Sequence, residues 1–321
     1  MKKLQSIYTL VENERKAIDA AMIAALESPL SVVEDIGHYI VDQGGKKLRS
    51  LFLLLIANAL GYQGSDHIRL GVVIELIHTA TLLHDDVIDD AAVRRGKKTA
   101  HLLFTPSHSI LVGDFLYSRA FELMVAVGNM DVMACMAKTT NEISQGEILQ
   151  LIQQDNAALS MEDYEAIIRA KTAILFSASS QLAGLVSRVS KDIQQKLVVF
   201  GESLGMIYQM VDDLLDYTAT SKTLGKIAYQ DFRESKMTLP LMLLLQASQE
   251  KEKIIAMFHK KIAFNEIELA EIFSKTDAFS HTKKIIQEKA AVLKKTLAIF
   301  PENKYREALS NLIEVIVERE Y

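Results

Sequence analysis

Apolar side chains recur every three or four residues along nearly the whole of this 321-residue chain, and no stretch shows the strict alternation between turn residues that a half-buried strand requires. That periodicity predicts an all-α fold. Glycines interrupt it at Gly44-Gly45, Gly61, Gly128 and Gly225, which read as helix stops. Ser31-Val-Val-Glu34 and Ser160-Met-Glu-Asp163 read as capping boxes, and Pro106 and Pro301 suit first-turn positions. No Ser/Gly/Pro-rich linker and no repeat of constant length divides the chain, so residues 1–321 are expected to form a single domain. The segment after Ser248 is more charged, carries no candidate site residues and is expected to complete the bundle.

Composition removes several classes. Hydrophobic residues make up 49% of the chain, enough for a large core, and a single cysteine, Cys135, permits no internal disulfide. The longest apolar run, Leu51 to Leu60, is broken by Asn58 and falls short of the ~20 residues a membrane span needs. Glu12, Glu14 and Arg15 follow the start too closely for a signal peptide's apolar core. A cytoplasmic protein is the expectation. The 36 Lys and Arg against 41 Asp and Glu leave a net charge of −5, which argues against nucleic acid as a partner. Basic residues nevertheless cluster at Lys46-Lys47-Leu-Arg49 and Arg94-Arg95-Gly-Lys97-Lys98, as expected for a discrete anionic ligand.

The stretch from His78 to Asp90 places carboxylates where the apolar period predicts a helix. Asp85 and Asp89 are four residues apart and share a face, with His78 two turns before Asp85 near the same face. A second Asp-Asp-x-x-Asp stands at Asp212-Asp213-Leu-Leu-Asp216, after Gln209. One acidic pair on a helix is usually a solvated face or a partner of the helix dipole. Two such motifs in apolar helices, with basic motifs elsewhere, point to cations bridging carboxylates and phosphates, and Mg²⁺ suits oxygen ligands in that arrangement. Gly44-Gly45 sets a turn before Lys46, Lys47 and Arg49 at an expected helix start, where backbone N–H groups favour phosphate. Arg94 and Arg95 follow the first acidic motif closely, and Lys171-Thr172, Lys226 and Lys236 add donors.

Taken in order, these pieces resemble the trans-isoprenyl diphosphate synthases, the head-to-tail prenyltransferase family (polyprenyl synthetases). The resemblance runs from Gly44 to Pro240 through Gly44-Gly45-Lys46-Lys47-Leu48-Arg49, His78 to Asp89 with Arg94-Arg95, Gly113-Asp114-Phe115-Leu116, Gln145-Gly146-Glu147, Lys171-Thr172, Gln209 to Asp216, and Gly225-Lys226 through Lys236-Met-Thr-Leu-Pro240. Two positions depart from it: Ser50 stands where the family usually has proline, and Ser235 where it usually has glycine.

The resemblance implies an isoprenoid-synthase-type helical bundle around a central active-site cavity, and alkylation of isopentenyl diphosphate by an allylic diphosphate. It implies Mg²⁺, about three ions once substrate is bound, held by Asp85, Asp86, Asp89, Asp212, Asp213 and Asp216. Arg94, Lys171, Lys226 and Lys236 would complete the shell of the allylic diphosphate, and Lys46, Arg49, His78 and Arg95 would hold the second diphosphate. Thr172 and Gln209 would sit beside the developing cation. The departing diphosphate would take the proton.

Chain length is partly legible by the same resemblance. The product would grow along the helix of the first motif, away from Asp85, past Thr81 and Ala80, roughly 6–7.5 Å along the axis. Short-chain members of the family place aromatic residues there. Small residues leave the path open past Ile77, Ile74, Val73 and Leu70, with a floor near Phe115, Phe121 or Met124. A long product of the octaprenyl type, like that of bacterial synthases serving quinone side chains, is the expectation, with farnesyl diphosphate as primer, a homodimer packed through a helix such as 115–127, and at most peripheral membrane contact.

Three rival readings remain open from sequence. A terpene cyclase shares the first motif, but its second metal site usually mixes Asn, Ser or Thr with Glu. An HD-type phosphohydrolase built on His84-Asp85 strands the second motif. A non-catalytic partner subunit tends to lack the acidic motifs, and both are intact here.

Overall fold

A computed structural model describes residues 2–218 and 228–319. Among them the regular structure is helical except for one short hairpin, Val93–Arg94 (β1) paired antiparallel with Lys97–Lys98 (β2). The fold is the all-α bundle of isoprenoid synthases. Packing divides it into two compact units, the first of residues 1–139, 175–201 and 297–312, the second of 140–174, 202–296 and 313–321.

In chain order the first helices are α1 (Lys2–Leu10), α2 (Glu12–Ala25), α3 (Ser31–Asp42), α4 (Leu48–Ala59), α5 (Asp66–Ile88), α6 (Ala100–Leu103), α7 (Pro106–Val127) and α8 (Met130–Ile152). The centre of the first unit is α5, whose residues Leu70 to Ile77 are buried on every side, as an apolar stretch without a polar face demands. It packs against α2, α4 and α7. Gly71 allows the first of these contacts, because a Cβ there would lie 2.5 Å from Cδ1 of Ile18. In α4, Leu51 to Ile56 are fully buried, each such side chain stabilising the fold by about 1.5–3 kcal/mol relative to exposure. Phe52 stacks on Phe200 and meets Phe176 edge-on, extending this core.

After α8 come α9 (Met161–Ile168), one π-helical turn at Arg169–Ala173, α10 (Ile174–Val186) and α11 (Lys191–Thr218). Then follow α12 (Gln230–Arg233), α13 (Leu239–Ala247), α14 (Lys251–Phe258), α15 (Glu266–Ser274), α16 (Ala278–Thr296) and α17 (Lys304–Val317). In the second unit Tyr217 meets Tyr229 and Phe273, Phe264 links Tyr229 to Phe232, and Phe279 stacks on Phe273.

Local signals read from sequence hold in part. Ser160 caps α9 by accepting from the Asp163 N–H at 3.0 Å, Pro106 opens α7, and Gly128 ends it in the left-handed region at φ 69°. The Ser31 capping box does not form. Leu30 occupies the N-cap, and Glu34 reaches back to accept from the N–H of Ser28 at 3.1 Å, two residues before that cap. Pro301 lies in the turn before α17, which starts at Lys304 because Asn303 supplies its side-chain oxygen to the N–H groups of Tyr305 and Arg306. The stop expected at Gly225 lies outside the described residues.

Candidate active site

The basic loop before α4 is shaped by backbone and held from three directions. Lys47, at φ 42°, is a left-handed N-cap, so its neighbours turn sharply into the helix. The Lys46 carbonyl accepts from the Tyr8 hydroxyl at 2.9 Å, and the Lys47 ammonium meets Asp19 at 2.5 Å. Arg49 points back toward α5, with Nη1 3.2 Å from Nε2 of His78, and lies over the ring of Phe176. Burial, and then the charges of Arg49, Arg95 and Arg94, hold the His78 imidazole well below its usual range. His78 is therefore neutral near pH 7 and accepts from a guanidinium that can only donate.

A second basic element reaches the same loop. The hairpin turns through Arg95 and Gly96, both at positive φ (51° and 75°), the pattern of a two-residue turn matched to strand twist. Its tip sets the Arg95 guanidinium against Gly45, where a Cβ would lie 2.9 Å from Nη2. A side chain at position 45 would press on that guanidinium. Lys46, Arg49 and Arg95, separated by up to 49 residues in sequence, are thereby gathered into one cationic cluster around the neutral His78.

The first acidic motif closes α5. Asp89 is the C-cap, its N–H donating to the Asp85 carbonyl at 2.8 Å, and Asp85 and Asp89 are both half-buried. Asp86 turns the other way and is buried, accepting a fork from Nε and Nη2 of Arg94 at 2.8 and 2.7 Å. Burial pushes its carboxyl up, against the pull of Arg94. Next to the motif, His84 Nε2 lies 3.0 Å from the Ile110 carbonyl and its ring stacks on Tyr117. Gly113 makes room, since a Cβ there would fall 2.2 Å from that nitrogen. Along the same helix Ile77 and Ala80 are fully buried, while Thr81 is half-buried and donates to the His78 carbonyl.

In the second unit the π-turn carries Lys171 and Thr172; one extra residue per turn rotates them relative to α9. Gly146 of α8 permits close approach there, because a Cβ would meet the Lys171 backbone nitrogen at 3.0 Å. Lys171 pairs with Glu147 at 2.7 Å. Thr172 donates to Gln209 Oε1 at 2.8 Å, and Gln209 Nε2 donates to Asp213 Oδ1 at 2.7 Å. The Tyr164 hydroxyl donates to the other oxygen of Asp213 at 2.7 Å. Burial raises the Asp213 carboxyl to about 7 despite those two donors, helped by Asp212 and Asp216. Asp216 is buried and accepts from the Asp231 N–H at 3.0 Å, whereas half-buried Asp212 meets Arg319 at 3.3 Å. Lys236 pairs with Glu234 at 2.7 Å. Lys226 lies outside the described residues.

Ser235, placed where the family usually has glycine, adopts the left-handed conformation at φ 54°. Its hydroxyl donates to the Phe258 carbonyl at 2.9 Å, which holds the strained turn that delivers Lys236.

Sequence reasoning did not single out Tyr164, Arg319 or the pairing role of Glu147. Glu147 could have been found from its place in Gln145-Gly146-Glu147, five residues from the nearest other acid on the helix; Tyr164 and Arg319 reach the second motif only through tertiary packing. The donor set fits a hard divalent cation. Asp85 and Asp89 offer oxygen ligands one turn apart, and among the described residues no three acidic, imidazole or thiol groups converge.

Comparison with known proteins identifies the family. The polyprenyl synthetase profile matches residues 31–276. The octaprenyl diphosphate synthase of Escherichia coli is 35% identical over 320 residues, covering 99% of each chain. An all-trans-nonaprenyl-diphosphate synthase of Rhodobacter capsulatus is 33% identical, with 98% of each chain covered. The crystal structure of a polyprenyl synthase from Caulobacter crescentus, complexed with calcium and isoprenyl diphosphate, superposes with a TM-score of 0.94 at 35% identity over 98% of each chain. The fold and site define a helical prenyltransferase-type protein, and the chain belongs to the polyprenyl synthetase family.

Proposed function

We propose that this chain is a Mg²⁺-dependent trans-prenyltransferase that condenses isopentenyl diphosphate with an allylic diphosphate to build a long polyprenyl diphosphate, of the octaprenyl type. The observation that carries the reading is the contact of Arg95 with Gly45. It brings cations suited to a diphosphate into the same unit as the half-buried Asp85 and Asp89, which suit a metal-bound second one.

In this reading Lys46, Arg49, His78 and Arg95 bind the isopentenyl diphosphate. Asp85, Asp89, Asp212 and Asp216 hold Mg²⁺ for the allylic diphosphate, with Asp86 and Asp213 adding charge through their own partners. Bound metal neutralises charge on the leaving diphosphate. Arg94, Lys171, Lys226 and Lys236 add donors to that anion, and Thr172 and Gln209 orient dipoles beside the allylic carbon. Ile77, Ala80 and Thr81 border the growing chain, and none of them is aromatic. The similarity to octaprenyl and nonaprenyl synthases supports a long product. The chain acts as a homodimer in the cytoplasm, and exposed Leu111 and Val125 on α7 suit a subunit contact. Turnover by the purified chain alone tests the reading, and sedimentation as a monomer at micromolar concentration would contradict the dimer.

A further inference from the structure

The Glu75 carboxylate, 4% exposed, sits in the centre of α5 and accepts from the backbone N–H of Ser50 at 3.0 Å. Ser50 is the third residue of α4, where the family usually has proline, which has no N–H to give. The Ser50 hydroxyl donates to the carbonyl of Lys47, the left-handed residue that opens the helix. Gly71, one turn before Glu75, keeps α5 close, with its built Cβ position 3.5 Å from that of Ser50. No side chain of α4's own N-cap satisfies the first turn, so Glu75 supplies the acceptor from another helix.

We propose that Glu75 is a positioning residue: through the Ser50 N–H it fixes the Lys46-Lys47-Leu48-Arg49 turn in the register that presents Lys46 and Arg49 to the diphosphate of isopentenyl diphosphate. In this chain that turn is tied down by a hydrogen bond to a buried carboxylate. The inference rests on the assignment of Lys46 and Arg49 to that substrate and adds the element that holds them. Glu75 touches neither substrate nor metal ligands, and its effect passes through α4.

The test is steady-state kinetics on Glu75→Leu, Glu75→Gln, Ser50→Pro and the double variant Glu75→Leu/Ser50→Pro, with melting temperatures recorded for each. Glu75→Leu and Ser50→Pro each raise KM for isopentenyl diphosphate roughly 3- to 10-fold, the scale of one lost hydrogen bond, with kcat and KM for the allylic diphosphate little changed. Glu75→Gln, whose amide oxygen still accepts, keeps KM near the wild-type value. The double variant is no worse than either single variant, because both remove the same bond. Variants that lose melting temperature but keep wild-type KM, or effects that multiply in the double variant, would overturn the positioning role. Wild-type protein that neither turns over nor binds isopentenyl diphosphate would overturn the substrate assignment as well, and so separates the two failures.

Discussion

The Tyr164 hydroxyl donates to Asp213 Oδ2 at 2.7 Å while Gln209 donates to Asp213 Oδ1, so the middle carboxylate of the second acidic motif is occupied on both oxygens by protein donors. Asp86, in the middle of the first motif, takes both Nε and Nη2 of Arg94 on its Oδ1. In both motifs the central aspartate is a structural anchor, and the outer pair differs from it in exposure or partner.

A pH dependence follows for Asp213. Its folded-state carboxyl is raised to about 7 from an ordinary value of 3.8, so its stabilising contribution is complete below about 3.8 and is lost as pH rises through 7. Asp213→Asn, which mimics the protonated form, is expected to leave the melting temperature unchanged near pH 4 and raise it above wild type at pH 8. Calorimetry at both pH values in EDTA checks this. An equal shift at the two would refute it.

Tyr164→Phe removes one donor from that buried carboxylate and is expected to cost about 1–3 kcal/mol of stability at pH 8, and less near pH 4 where Asp213 is protonated. Urea denaturation at the two pH values measures the difference.

Gly113→Ala places a methyl 2.2 Å from His84 Nε2, beside the first acidic motif. The expected cost is about 1–3 kcal/mol from overpacking, with reduced turnover. Adding His84→Ala relieves the clash and recovers melting temperature. Wild-type stability in Gly113→Ala alone would show that the His84 ring swings aside without cost.

Asp85→Ala and Asp212→Ala are each expected to lower turnover by about 10²- to 10³-fold with the circular dichroism spectrum unchanged. Near-normal turnover in either would remove that residue from the metal site.

Much of this arrangement is local in the sequence and was legible there. The 3.6-residue period gives the helices, and the spacing of Asp85 and Asp89 puts them on one face of α5. Arg95-Gly96 is a recognisable turn pair, yet two-residue strands are too short to show alternation, so the hairpin is visible only in three dimensions. The π-turn at Lys171 depends on packing against Gly146, 25 residues away, and leaves no periodic mark. Glu75 was detectable as a lone acid among Val72, Val73, Ile74, Leu76 and Ile77, but its partner Ser50 was not. Ser31 fails as a cap because it is already the first helical residue: Leu30 takes the N-cap, and Glu34 accepts from the Ser28 N–H instead.

Thr81→Phe is expected to shorten the product while condensation of the first units continues, since Thr81 is half-buried one turn before Asp85 and tolerates added volume better than fully buried Ala80. Chromatography of the extracted prenyl chains reads the change, and an unaltered length would move the chain's path elsewhere.

The central claim is tested most directly by incubating the purified chain with Mg²⁺, labelled isopentenyl diphosphate and farnesyl diphosphate, then sizing the extracted products. A ladder ending in a long polyprenyl diphosphate of the octaprenyl type is the predicted result. Folded protein that yields no prenyl product with any of several allylic primers would contradict the claim.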